Sequence, residues 1–143
     1  MKKHTLFLFA LMSLFLVSCS ANMMTDNNKL FNTKWELEFI TGPRITFQGL
    51  FPDNKPMITF NKMTGMVNGT SSCNPYNNTA YKLNGSMLTF EQPAIATTAY
   101  CGDGEVVFLK TMQQITHYKI EADGKLTLLM GDMPMMTFKK SLK

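Results

Sequence analysis

The sequence predicts an α+β domain: a curled antiparallel sheet or small β-barrel of seven to eight strands with one amphipathic helix. Three observations carry this. Short runs with apolar residues at alternate positions recur along the chain and are punctuated by Asn-Gly and Asp-Gly pairs. One segment alone switches to a helical period. The 143 residues are 45% hydrophobic and 17% charged, enough for one domain with a core and too apolar for disorder.

Each element follows from local pattern. Trp35, Leu37 and Phe39 alternate with Lys34, Glu36 and Glu38, which predicts a strand with the three apolar residues inward. Residues 57–60 form a second strand after Pro56. Met66-Val67 before Asn68-Gly69, and residues 81–83 before Asn84-Gly85, read as strands entering hairpin turns. Residues 87–90 and 94–99 continue the series. Glu105, Phe108, Met112 and Ile115 then recur at helical spacing, which predicts a helix over about 104–116 capped by Asp103. Residues 118–122, the turn Asp123-Gly124 and residues 125–130 make a hairpin, and 135–139 form the closing strand.

The N-terminal region predicts an address. Lys2 and Lys3 precede an apolar run over 6–17 that is too short to span a bilayer, as in a signal peptide over residues 1–18. The run ends in Leu16-Val17-Ser18-Cys19, which resembles the bacterial lipobox, so Cys19 is expected to be acylated and to become the mature N-terminus. Acyl chains hold a protein to a membrane firmly, at about 0.8 kcal/mol per buried CH₂. Residues 19–29 then read as a polar, lipidated tether and 30–143 as the folded domain. Ser20 after the cysteine favours an outer-membrane location facing the periplasm, by resemblance to enterobacterial sorting. An ordinary signal peptide with an incidental cysteine is the alternative. Without Lys2 and Lys3 the chain holds 12 basic and 10 acidic residues, an excess of +2 that is too small and too scattered for a nucleic-acid footprint.

Three segments resemble a known family. The run Val67-Asn68-Gly69-Thr70-Ser71-Ser72-Cys73-Asn74-Pro75-Tyr76 is similar to the core motif of the META domain family, the HslJ-like proteins. Ala96-Thr97-Thr98-Ala99-Tyr100-Cys101, followed by Glu105, Phe108 and Leu109, is similar to the family's second motif. Trp35, Phe60 and Leu126-Thr127-Leu128 fall in the family's order. The resemblance spans about residues 30–140. Many members carry Arg-Met where Thr98 and Ala99 stand here, so no role of that arginine carries over. The resemblance implies an envelope or secreted protein tied to stress tolerance, secretion or virulence, in a family without an accepted catalytic activity. It also implies a fold like that of lipoprotein pilots that hold lipid in a cracked barrel.

With Cys19 acylated, Cys73 and Cys101 remain as an even pair in an oxidising compartment. A disulfide, free thiols and a redox pair are the readings, and the first fits the compartment best. No metal site is expected, because His117 is the only histidine after the signal peptide and no CxxC is present. No cofactor is expected either. For an enzyme, His117 would be the base and Ser71, Ser72 or Cys73 the nucleophile, but the G-x-S-x-G frame is missing. A non-catalytic, monomeric binding or adaptor protein is therefore expected, with an envelope protein or lipid as partner. An envelope hydrolase or a lipid carrier are the alternatives. Phe47, Leu50 and Phe51 lie beside turn residues and form the candidate binding loop, exposed unless the helix or sheet covers them. Met130, Met133, Met135 and Met136 offer a second adaptable apolar surface, unless they cap the core.

Overall fold

The computed structural model of the protein describes residues 27–95 and 99–142. The expected signal peptide, Cys19 and the first part of the tether lie outside the described residues. Among these residues, eight antiparallel strands close into one barrel, each pairing with its neighbours in sequence and the last with the first. They are β1 (Lys34–Ile40), β2 (Met57–Asn61), β3 (Met66–Thr70), β4 (Pro75–Asn84), β5 (Met87–Phe90), β6 (His117–Ile120), β7 (Leu126–Met130) and β8 (Met133–Lys140). A one-turn helix α1 (Phe47–Leu50) lies between β1 and β2, and helix α2 (Asp103–Met112) between β5 and β6. A 3-10 turn, Asn27–Lys29, leads into the buried Leu30, whose carbonyl accepts a hydrogen bond from Trp35 Nε1 at 3.0 Å.

Strand alternation sends Trp35, Leu37, Ile58, Phe60, Val67, Leu88, Tyr118, Leu128 and Phe138 into one core. Large side chains, Trp35, Tyr76, Tyr118 and Phe60 among them, are buried in that core. Every strand is paired on both sides, so the interior is reached through the barrel ends. Phe108 and Met112 of α2 belong to the same core as Leu50 and Phe51, which places both helical segments over one end. The seam between β5 and β6 is the narrowest. It rests on the pairing of Met87 with His117 and on flanking bonds from Leu88 N to Thr116 O and from Tyr118 N to Ser86 O.

Several local expectations are corrected. A bulge between Leu37 and Phe39 lets two β1 residues oppose one on β8, which turns Phe39 outward and Ile40 inward. Asn68-Gly69 does not turn the chain but lies within β3, paired to β2 and β4. The β2–β3 turn falls earlier, where Asn61 Oδ1 accepts the N–H groups of Met63 and Thr64, and Gly65 takes φ +66°. The expected strand over 94–99 is not seen at its described positions; Ile95 forms only an isolated bridge to Tyr76. Helix α2 stops at Met112, where Gln114 and Ile115 bond back three residues to Thr111 and Met112. Its cap is Gly102, at φ +78°, rather than Asp103, which is the first helical residue. The Asn84-Gly85 and Asp123-Gly124 signals do mark hairpins, with Gly85 and Gly124 at φ +59° and +83°.

The candidate binding loop is also corrected. Thr46 caps α1 by accepting the Gly49 N–H at 3.1 Å, and the turn it starts rolls Leu50 and Phe51 into the core. Phe51 is 1% exposed, and Phe47 is half-buried against it with ring centroids 5.2 Å apart. Gly104 of α2 explains the burial. A Cβ there would overlap the Leu50 carbonyl oxygen and the Phe51 ring, so only glycine lets the helix close over this turn.

Phe51→Ser should therefore cost at least about 3 kcal/mol, because it opens a cavity and buries a hydroxyl. Thermal unfolding checks this, and an unchanged melting temperature would return the loop to the surface. A second expectation concerns Tyr76, whose hydroxyl burial pushes far above the ordinary tyrosine value of 10.0. A raised folded pKa means its contribution is complete below pH about 10 and is lost as pH rises above that. Phenolate absorbance from Tyr76 should appear only together with alkaline unfolding, and Tyr76→Phe should flatten the loss of stability above pH about 10.

Candidate functional site

The two motif segments meet at one place. On β3, Gly69 lies opposite Tyr76 of β4, and a side chain at Gly69 would overlap the Met57 carbonyl oxygen of β2 and crowd the Tyr76 hydroxyl. The absent side chain lets Tyr76 Oη donate to Met57 O at 2.9 Å, a bond that ties three strands. The Tyr76 ring then meets Phe108 of α2, with centroids 6.2 Å apart.

Between these strands the chain turns through residues 71–74. Ser71 N donates to Asn74 O at 2.9 Å, closing the turn. Ser72 sits at φ +147°, a region that side chains rarely occupy, and its hydroxyl donates to Asn54 O at 3.0 Å. The Ser71 hydroxyl donates to Glu105 Oε1, and Asn74 Nδ2 donates to Glu105 Oε2 at 2.9 Å and to Ala99 O at 2.7 Å. Glu105, in the first turn of α2, is 8% exposed, and Ser71 and Asn74 are buried with it. A carboxylate buried in this way needs donors on both oxygens, and this turn supplies them.

Beside this set, Cys73 and Cys101 lie at disulfide geometry, with Cα atoms 5.6 Å apart and a sequence separation of 28. Cys73 is exposed and Cys101 half-buried. The turn over 71–74 is thus joined to the start of α2 twice, once on the surface through sulfur and once in the interior through Glu105.

The other candidate residues lie apart from this set. His117 is on β6, with Nδ1 2.9 Å from Thr116 Oγ1, which also accepts the Gly131 N–H at 2.7 Å. Of the three nucleophile candidates for the alternative enzyme reading, Ser71 is buried and donates to Glu105, Ser72 donates to Asn54 O, and Cys73 lies at disulfide geometry with Cys101. Among the described residues no group of three or more His, Cys, Asp and Glu side chains is arranged to hold a metal ion. The methionines divide. Met135 and Met136 join the core, while Met130 and Met133 pair across the exposed β7–β8 turn. The sequence places Glu105 on the helical stripe and in the second motif, without a bonding role. The available signal was its chemistry, since an acidic residue in register with Phe108 and Met112 on an apolar face needs donors waiting for it.

Closing a 28-residue loop contributes about 3–4 kcal/mol by the chain-entropy account. Cys73→Ala and Cys101→Ala should each lower stability by about this amount, and the double variant by little more. Denaturant unfolding of the three variants checks the pairing, and additive losses would count against it.

The comparisons with known proteins match this architecture. The META domain family model matches residues 28–142, which takes in both motif segments and all eight strands. A solved structure, described as the NMR structure of the protein from Burkholderia xenovorans, superposes with a TM-score of 0.59 over 81% of this chain and 86% of that one. At 22% identity that likeness speaks for the fold alone. No curated protein matches the chain. The buried knot of Ser71, Asn74 and Glu105, the cysteine pair beside it and the family match over nearly the whole domain lead to one statement: the chain belongs to the META domain family.

Proposed function

We propose that this META-domain protein is a lipid-anchored, non-catalytic binding module of the bacterial envelope, held through Cys19 and acting on an envelope protein. The carrying observation is how the side chains are divided. The groups that could do chemistry in the motif, Ser71, Asn74, Glu105 and the two cysteines, are engaged with one another in the fold. Flexible apolar side chains lie exposed elsewhere. Met87, His117, Leu129 and Pro134 follow one another across β5, β6, β7 and β8, and Met130 and Met133 form the next pair. Met87 and Met133 are about half exposed, at 54% and 49%. Methionine adapts its shape to a partner better than branched side chains do, which suits a rim of this kind to binding. The lipobox-like Leu16-Val17-Ser18-Cys19 supports the membrane address.

Two substitutions test the two halves of the reading. Cys19→Ala should abolish incorporation of labelled palmitate in growing cells and leave an unprocessed precursor; label retained by the variant would overturn the anchor. Met133→Asp should keep the melting temperature within a few degrees, because a surface change away from packed features moves stability by about 0.5 kcal/mol or less. The same variant should lose proteins that co-purify with the tagged wild type from solubilised membranes. Retention of every co-purifying protein would remove the rim from the proposal, and loss of a lipid instead would favour a lipid-binding role.

A further inference from the structure

The double connection between the turn over 71–74 and the start of α2 has a chemical consequence. One connection, Cys73–Cys101, reaches solvent through the exposed Cys73. The other, from Ser71 and Asn74 to Glu105 and from Asn74 to Ala99 O, is buried and spans the same two segments. A thiol can therefore reach the sulfur bridge without opening the core. Once the bridge is broken, the hydrogen-bonded connection still holds the two cysteines opposite each other. We infer that the Cys73–Cys101 bridge is a reversible thiol–disulfide exchange site of the folded protein, attacked at Cys73 by low-molecular-weight thiols and re-formed without refolding. This goes beyond the binding role above and does not depend on the membrane address.

The exchange balances as follows. A thiolate attacks Cys73 Sγ, the new sulfur–sulfur bond forms as the bond to Cys101 breaks, and Cys101 leaves as a thiolate that takes a proton from water. A second thiolate attacks the sulfur of the bound thiol, which departs as the small-molecule disulfide and leaves Cys73 reduced. Two thiols lose two electrons and the cystine gains them. Accessibility selects Cys73 over the half-buried Cys101 as the sulfur attacked. The Glu105 hydrogen bonds keep the turn in place throughout, so the reverse sequence, driven by a small disulfide, finds both thiols in position.

The test uses the purified full chain in buffer without denaturant. Excess dithiothreitol should expose two alkylatable thiols at Cys73 and Cys101 while the near-ultraviolet circular dichroism persists. The melting transition should stay cooperative and move down by roughly 10–20 °C, the shift that loss of about 3–4 kcal/mol produces in a domain of this size. With reduced glutathione followed by rapid alkylation, the trapped adduct should map to Cys73 with Cys101 alkylated. Oxidised glutathione should then restore the bridge and the original transition. Glu105→Ala removes the two bonds to the carboxylate and leaves only that from Asn74 to Ala99 O, so reduction should lower and broaden the transition far more than in the wild type. A bridge that resists thiol until denaturant is added, an adduct at Cys101, or a wild-type protein that unfolds on reduction would each overturn the inference. These wild-type measurements decide the matter even if Glu105→Ala does not fold.

Discussion

The Glu105 carboxylate is the constraint around which this domain is arranged. An acidic group at that depth is strongly unfavourable unless both oxygens are met, and removing its partners would leave a charge in the interior. Ser71 and Asn74 meet them from one turn. The need for those two donors fixes where the β3–β4 turn stands relative to α2. That position fixes which side of α2 faces the barrel, and so places Phe108 against Tyr76 and Met112 in the core. Ser72, held at φ +147°, shows the backbone bent to deliver its neighbours to this contact.

Around that contact the fold solves a second problem, which is how a meander becomes a closed solid. Pairing β1 with β8 removes the sheet edges that would invite association, but it leaves open barrel ends. Two glycines allow one end to be covered. Gly69 lets β2, β3 and β4 draw together under the Tyr76 hydroxyl, and Gly104 lets α2 settle on Leu50 and Phe51. Both contacts are backbone against backbone or ring, so neither tolerates even a methyl group. The motif residues thus build the fold, and the outer rim near Met87, Met130 and Met133 is left as surface.

Much of this was legible in the sequence, and the misses have physical causes. Alternation gave the strands and the Asn84-Gly85 and Asp123-Gly124 pairs gave their hairpins, because period and turn chemistry are local properties. The alternation places Phe39 inward because a bulge, which inserts one residue against β8 at the far end of the domain, leaves no local mark. Asn68-Gly69 carried the strongest local turn signal and is a strand, because Gly69 answers to Met57 and Tyr76 rather than to its own turn propensity. Phe51 reads as exposed because its sequence neighbourhood offers only the half-buried Phe47 against it; further cover comes from Gly104, more than fifty residues on. The family resemblance located the right residues, but only the assembled geometry explains why a serine, an asparagine and a glutamate accompany the two cysteines.

The measurement that reaches the centre of this account is a double-mutant cycle between Asn74→Ala and Glu105→Ala, read by denaturant unfolding. If the carboxylate and the amide form one buried unit, the double variant should be less destabilised than the sum of the single variants by about 1 kcal/mol or more. Losses that add within about 0.5 kcal/mol would mean that the two side chains act independently, and the β3–β4 turn would not be positioned by Glu105.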